Sequence, residues 1–376
     1  MHRSLHEKFN LSRVINAAGT FTPVGVSRSS EAVARATAAA LGDFFVIEEL
    51  QAAADRALAR LAGAEAGAVT HCAAAGITQA IAATMSGGDP ERVAALPDAS
   101  GMPDRVVIPA GHAVDYGHPI LTDIRLAGAK PVVAGSERGS SLEDIESSLS
   151  GRGVACLLLV SSRLTRGQPI DLAMAVAVAH RHGVPAVIDG AAQDLRMREL
   201  LATGADLAIF SAQKYLASPT AGLIVGRRDL VQACRAQERG IARAMKPTKE
   251  AIVGVLAALE ERERLDLPRW RASQRVKVAR FIGQVDGIGG IEASEIPDPA
   301  GMPFSRACIE IRRPDRRWNA AALAAALKEG RPSIRTMDAG APQGRLLLEL
   351  VPLDDDELQT IVDRIAAIAA ELGASA

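Results

Sequence analysis

The sequence predicts an α/β fold: a large domain built on a mostly parallel sheet, followed by a smaller C-terminal α/β lobe. Three observations predict it. From about residue 66 to residue 226, short apolar runs alternate with helical runs, the pattern of a parallel sheet covered on both faces. One of these runs, Val154 to Val160, is apolar without a break, as a strand buried on both sides must be. From Pro247 the pattern changes to long, charge-laced helical runs, and then to strand, helix, strand, helix. The expected divisions are an N-terminal arm and helix at 1–45, the large domain at 46–250 and the small domain at 251–376.

Composition sets the bounds. A chain of 376 residues with 48% hydrophobic content buries a large core, and two lobes are the natural division. The net charge of -1 favours neither nucleic acid nor an anionic membrane as a partner. Cys72, Cys156, Cys234 and Cys308 are scattered with no CxxC pair, which fits reduced cytoplasmic thiols better than disulfides or zinc. Met1 to Asn10 hold no apolar leader core, and no run is apolar and long enough to span a bilayer. These readings together predict a cytoplasmic protein.

Leu11 to Gly25 is a small-residue segment without periodicity, read as an extended arm. Ser30 is placed to cap an alanine-rich helix over 31–41, and residues 47–62 form an amphipathic helical run. Phe44 and Phe45 between them read as core or subunit interface. Residues 68–72 read as a strand that leads into a helix over 73–84 with small residues at its start. Such a start lets an anion approach the free amides of the first turn; tight helix–sheet packing uses small residues equally well. Ser86 to Pro103 is rich in Gly, Pro and Asp and reads as a surface loop. Strands follow at 105–109, 130–134, 154–160, 185–189 and 207–210, with helices at 120–127, 141–149, 171–182 and 195–203. His180 and His182 at a helix end read as solvated. The last third reads as helices over 248–264 and 270–282, then strand 302–311, helix 319–329, strand 345–351 and helix 354–372.

Two residues organise the chemistry. Lys214 follows an apolar strand and leads through a Pro/Gly turn into a second apolar strand, so it is held at a sheet edge. A lysine near a turn is ordinarily solvated surface, but a desolvated lysine has a lowered pKa suited to Schiff-base work. Asp189 ends a buried strand at its carboxyl end, where parallel sheets place ligands; the alternative is a helix cap. Together they suggest a pyridoxal phosphate (PLP) site, with Lys214 on the cofactor carbonyl and Asp189 on the ring nitrogen. Gln193 is placed to reach the ring oxygen, or else lies on a helix surface. His112 follows a strand and is placed to stack on the ring, with Tyr116 and His118 as rivals. No His, Cys, Asp and Glu set has metal-ligand spacing, and no glycine-rich nucleotide fingerprint occurs.

Four segments carry a family resemblance: Ile15 to Thr22, Gly63 to Ile77, Leu96 to Met102, and Gly204 to Gly226 with its lysine. Over nearly the whole chain the sequence resembles the selenocysteine-synthase-like PLP enzymes of the aspartate-aminotransferase fold (fold type I), especially those of ammonia-lyase type. The resemblance implies Lys214 as the Schiff-base lysine and Asp189 on the pyridine nitrogen. It implies phosphate contacts from Ser211 and the turn at Ala73 and Ala74. In cysteine-desulfurase-like relatives a motif similar to Gly111 to Val114 carries the stacking histidine, which favours His112. Those relatives place a histidine just before the lysine; here Gln213 stands there, as a further phosphate contact. The stretch Arg331 to Arg335 resembles a small-lobe segment near the substrate, so Arg335 is the candidate for a substrate carboxylate. Asn16, Thr20 and Arg163 are the candidates for the second acid or base and for substrate contacts.

The implied reaction is α,β-elimination on a small amino acid or amino sugar acid, releasing ammonia and a 2-keto acid. A racemase, an aminotransferase or a seleno- or sulfur-transferase would use the same residues, and a non-catalytic PLP-binding protein is the alternative of another class. Homodimers or larger assemblies are implied by the fold. Selenium transfer to a charged tRNA is not expected, since the chain shows no counterpart to the extra N-terminal RNA-binding region of those enzymes. The cluster Arg262, Arg264, Arg269, Arg271 and Arg275 is interleaved with Glu261, Glu263 and Asp266 and reads as a solvated helical face.

Overall fold

The computed structural model describes residues 4–136, 139–312 and 314–372. The chain divides into two compact units, residues 29–264 and residues 1–28 with 265–376.

The first unit holds a sheet of seven strands among the described residues, in the order Ala66–Thr70, Gly222–Gly226, Leu207–Ser211, Ala186–Asp189, Val154–Val160, Arg105–Pro109, Lys130–Ala134. Gly222–Gly226 is antiparallel to both its neighbours, while the other pairings are parallel. Six strands therefore end at one edge of the sheet, where Gly222–Gly226 begins. Gly222 pairs with both Thr70 and Ser211, and Asp189 pairs with both Val160 and Ile209.

Alternation along the strands builds a core on each face. Val107, Leu157, Leu159, Ile188 and Phe210 join one cluster. Val106, Ile108, Leu158, Val187 and Ile209 join the other. The Ala73–Ser86 helix is buried on nearly every side, and a Cβ on Gly76 would sit 2.8 Å from Ile209 Cγ2. Packing thus explains Gly76, one turn into the helix.

Several elements depart from the sequence reading. Within Ser86 to Pro103 there is a helix, Pro90–Ala95, which Asp89 caps by accepting from Glu91 N and Arg92 N, both at 3.0 Å. Its proline occupies the first turn, where no amide donor is needed, so a helix start looked like loop composition. Arg228–Ala236 is a further helix. Phe44 is fully exposed, so it is not core of this chain. His180 is exposed, as read, and also partnered, its Nε2 lying 2.8 Å from buried Asp206. The Lys249–Glu263 helix, placed by the sequence at the start of the small domain, buries Ile252, Val255 and Leu259 with Val33 and Leu58 in the first unit.

The second unit has a three-stranded antiparallel sheet in the order Arg345–Leu348, Ser305–Ile311, Ile291–Pro297. Phe281, Leu323, Ile361 and Ile365 from its helices fill the core. Val14–Asn16, inside the expected arm, is a strand parallel to Ser333–Arg335, and this pairing sets Asn16 opposite Arg335. The first residues belong to the C-terminal unit for this reason. Among the described residues no helix is long and apolar enough to cross a membrane.

Candidate active site

The turn that carries Lys214 is fixed by its own backbone. Lys214 N donates to Ser211 O at 3.2 Å, Ala217 N to Lys214 O at 3.1 Å, and Ser218 N to Ala212 O at 3.0 Å. Ala217 sits at φ +56°, a left-handed conformation that costs a non-glycine residue on the order of 1 kcal/mol. Arg262 clamps the turn from outside. It donates to Tyr215 O at 2.8 Å, to Asp194 O at 3.1 Å and to Asp194 Oδ2 at 3.1 Å. Its side chain is only 11% exposed, which corrects the reading of this arginine as solvated. Its helix packs on the first unit, so one face of the charged run turns inward.

Asp189 lies at the end of its strand, buried. Its Oδ1 accepts from Ala191 N at 2.9 Å, and its Oδ2 accepts from none of the described residues. Burial pushes its carboxyl up to about 6, against that hydrogen bond and the nearby charge of Lys214. Gly190 allows the tight turn: a Cβ there would lie 2.6 Å from Leu200 Cδ1. Burial pulls the Lys214 ammonium below its ordinary value; Asp189 and Asp194 oppose the shift and Arg163 adds to it. These four residues share one electrostatic neighbourhood, with Arg163 on its exposed side.

His112 is buried, and its Nδ1 accepts from Val160 N at 3.0 Å. The ring proton therefore sits on Nε2. Burial lowers its pKa to about 4, so the ring is neutral near pH 7. Gly111 O accepts from Arg166 N at 2.9 Å, and a Cβ on Gly111 would strike Arg166 O at 2.1 Å. That contact ties the His112 turn to the loop bearing Arg163.

At the neighbouring strand end, Cys72 caps the Ala73–Ser86 helix, its Sγ accepting from Ala75 N at 3.5 Å. The amides of Ala73 and Ala74 have no acceptor within the helix. Gly222 lets the strand backbone pass close by, since a Cβ there would sit 2.4 Å from Cys72 O. Ser211 is buried and Gln213 half-buried in the adjoining turn. Gln193 is fully buried; its Oε1 accepts from Arg196 at 3.2 Å and its Nε2 has no partner among the described residues. The first unit thus brings together Lys214, Asp189, His112, Ser211, Gln213, Ala73, Ala74, Gln193 and Arg163.

These groups fit PLP. A buried carboxylate with one oxygen that accepts from none of the described residues suits the ring nitrogen, and a lysine with a lowered pKa suits the aldehyde. Helix amides without acceptors suit the phosphate. The orphan Gln193 Nε2 suits a ring oxygen.

Asn16, Thr20 and Arg335 belong to the other unit. Asn16 is engaged in its own turn, Nδ2 donating to Gly19 O at 2.6 Å and Oδ1 accepting from Ala18 N at 3.0 Å. Thr20 is half-buried. Arg335 has a buried Nε with no partner among the described residues, and it lines a cavity of about 720 Å³ with Arg13, Lys328, Arg331 and one acid, Glu329. Sequence reasoning missed two features: the Arg262–Asp194 clamp, and a cluster of Tyr116, His118 and Asp123 beside the Ala73–Ser86 helix. Tyr116 and His118 had been rivals for stacking, but both engage Asp123.

The L-seryl-tRNA selenium transferase family model matches residues 178–293. D-glucosaminate-6-phosphate ammonia lyase of Salmonella typhimurium is 35% identical over 369 residues, covering 98% of this chain and 99% of that one. The 5'-C-glycyluridine monooxygenase-decarboxylase of a Streptomyces species is 33% identical over 377 residues, covering 99% of this chain and 94% of the relative. A solved structure of D-glucosaminate-6-phosphate ammonia-lyase superposes with a TM-score of 0.87 at 34% identity, covering 99% of this chain and all of that one. A serine palmitoyltransferase structure with PLP, 16% identical with a TM-score of 0.60 over 96% of this chain and 88% of its own, shares the fold. The sheet with its Lys214 and Asp189 edge is that of the fold type I PLP-dependent enzymes. The chain belongs to their selenocysteine-synthase-like family, in which D-glucosaminate-6-phosphate ammonia lyase is a relative along its full length.

Proposed function

We propose that the protein binds PLP and is a lyase that releases ammonia from an anionic 2-amino-3-hydroxy acid by α,β-elimination, leaving a 2-keto acid. An amino sugar acid is the substrate class. One observation carries this reading: Lys214 and Asp189 share a strand edge in a chain that aligns along its length with an ammonia lyase. When bound, PLP would accept the electron pair released as the Cα–H bond breaks.

The chain's own residues do the rest. Asp189, ionised by a cationic ring nitrogen, holds that nitrogen protonated. The amides of Ala73 and Ala74, with Ser211 and Gln213, hold the phosphate. Neutral His112 stacks on the ring, and Gln193 reaches its oxygen. Lys214 Nζ takes the α-proton; its lowered pKa raises the share of free amine. In the second unit, taken by itself, Arg335 is offered for a substrate carboxylate, and the excess of Arg13, Lys328 and Arg331 over Glu329 around the cavity supports an anionic substrate. The exposed row of Leu41, Phe44 and Val46 supports a homodimer or larger assembly, and scattered free thiols support a cytoplasmic home.

The test is a visible spectrum of the PLP-loaded protein, borohydride reduction with peptide mapping, and an ammonia assay with D-glucosaminate 6-phosphate. The expected result is a visible band, a reduced pyridoxyl group on Lys214 and ammonia release. Lys214→Ala should lower release by at least about 10²–10⁴-fold. A protein that takes up no PLP would sink the cofactor assignment and the reaction with it. The Streptomyces relative favours a second reading, decarboxylation with oxygen consumed. Carbon dioxide release without ammonia would select it.

A further inference from the structure

The loop from Ala113 to Ile120 leaves the carboxyl end of the Arg105–Pro109 strand and doubles back. Asp115 bridges Pro119, and Ile120 N donates to Val114 O at 3.0 Å. The turn sets Tyr116 edge-on to His118, with ring centroids 4.9 Å apart, and puts His118 Nε2 2.7 Å from Tyr116 Oη. Both side chains meet Asp123 in the Leu121–Leu126 helix. The Tyr116 hydroxyl donates to Asp123 Oδ2, and His118 Nε2 lies 3.3 Å from Asp123 Oδ1. Asp123 O in turn accepts from Thr78 Oγ1 at 3.3 Å, which anchors the cluster to the helix that begins at Ala73.

The three groups are graded from inside to outside. The Asp123 side chain is 2% exposed, Tyr116 is 37% exposed, and the His118 side chain is 38% exposed. A structural tyrosine–carboxylate pair needs no solvent-facing imidazole. Burial pushes the Tyr116 phenol up, helped by the hydrogen bond and charge of Asp123 and by the charges of Asp189 and Cys72. The loop follows directly on the His112 turn, Val114 N donating to His112 O at 2.8 Å, and its cluster is anchored at Thr78 in the helix that begins at Ala73, so the cluster borders two sides of the cofactor cradle. Burial also raises the Asp123 carboxyl, against Tyr116 and His118. A histidine in contact with water can restock a phenol that has given up its proton.

We propose that Tyr116 is the catalytic acid that protonates the departing β-substituent, with His118 as its proton relay and Asp123 as a positioning residue; the inference rests on the lyase reading above. In a 2-amino-3-hydroxy acid the Cβ–O bond breaks and its electron pair leaves with the oxygen. The Tyr116 proton moves to that oxygen, so water departs, and the electron pair from the former Cα–H bond forms the Cα–Cβ double bond. The released enamine tautomerises to an imine, and water hydrolyses its C=N bond to the 2-keto acid and ammonia. The His118 imidazolium returns a proton to the phenolate and regains one from solvent. Asp123 holds the phenol in place and balances the imidazolium charge.

The experiment has two arms. In the first, the PLP-loaded protein, Tyr116→Phe and His118→Gln act on D-glucosaminate 6-phosphate in deuterium oxide. Ammonia release is compared with deuterium incorporation at Cα of recovered substrate. Tyr116→Phe should lower the ratio of release to exchange by at least about 10²-fold, and His118→Gln should lower it less. An unchanged ratio in Tyr116→Phe overturns the proposal and leaves the lyase reading standing. Wild-type protein that releases no ammonia from this or any other 2-amino-3-hydroxy acid overturns both. The second arm needs neither substrate nor cofactor. The chain has two tyrosines, so the ultraviolet titration of wild type minus Tyr116→Phe isolates one phenol. It should titrate above the ordinary tyrosine range and fall back in Asp123→Asn. An ordinary phenol in wild type overturns the cluster itself.

Discussion

Asp189 bears a cost that the cofactor would relieve. Its carboxyl is held at about 6 against an ordinary value of 3.8. Between those two pH values the folded state binds more protons than the unfolded one. The stability of the cofactor-free protein should therefore fall as pH rises from about 4 to about 6 and stay level above, by on the order of 3 kcal/mol from this group. Asp189→Asn keeps an oxygen for the Ala191 amide and removes the buried charge. Thermal melts of the cofactor-free proteins should show the variant above wild type at about pH 8, with the gap closing toward about pH 4. A gap equal at both pH values would show that the buried charge is not the cause. The identity of this residue was legible in the sequence, because a carboxylate ending an apolar strand needs a reason to be there. Its raised pKa was not, since that depends on how far the surrounding fold shields the carboxyl from water.

At the scale of elements, the strands of the seven-stranded sheet were readable but their order was not, and Val14–Asn16, Ile291–Pro297 and Ser333–Arg335 escaped the sequence reading. Continuous apolar runs announce buried strands whatever their neighbours. That Gly222–Gly226 runs against the rest follows from the short turn at Lys214, which reverses the chain. Sequence reasoning failed where composition misleads. The Pro90–Ala95 helix hid behind its proline, and Arg262 hid in a run whose other charges are solvated. Periodicity shows which face of a helix is apolar; it does not show that one arginine on the seam finds a buried carboxylate and a backbone carbonyl. Arg262 is the more informative case, since it joins the Lys249–Glu263 helix to the Lys214 turn. Arg262→Ala would leave Asp194 buried and unpaired, and should cost about 3–5 kcal/mol in chemical denaturation. Arg262→Lys restores a charge without the fork that reaches both Asp194 and Tyr215, so it should recover only part of the loss. Equal stability of wild type and Arg262→Ala would mean that the clamp is not closed in solution.

For the whole molecule, the cofactor is the natural lever on stability. In its absence the first unit keeps a carboxylate whose pKa burial raises, helix amides without acceptors inside the helix, and a buried glutamine amide without a partner among the described residues. Each is a cost carried by the folded state alone, so a ligand that satisfies all three should stabilise by mass action. At a concentration of about 100 times its Kd, PLP should add about 2.7 kcal/mol to the unfolding free energy of the cofactor-free protein. That amounts to a rise of several degrees in the melting temperature of a domain of this size. Pyridoxal, which lacks the phosphate, keeps the ring nitrogen and the carbonyl but leaves Ala73 and Ala74 unsatisfied. At equal concentration it should give a clearly smaller rise, and inorganic phosphate alone should give little, since the ring contacts carry the remainder. Equal shifts from PLP and pyridoxal would remove the phosphate role from the Ala73 helix and return its small residues to packing, the role Gly76 already has.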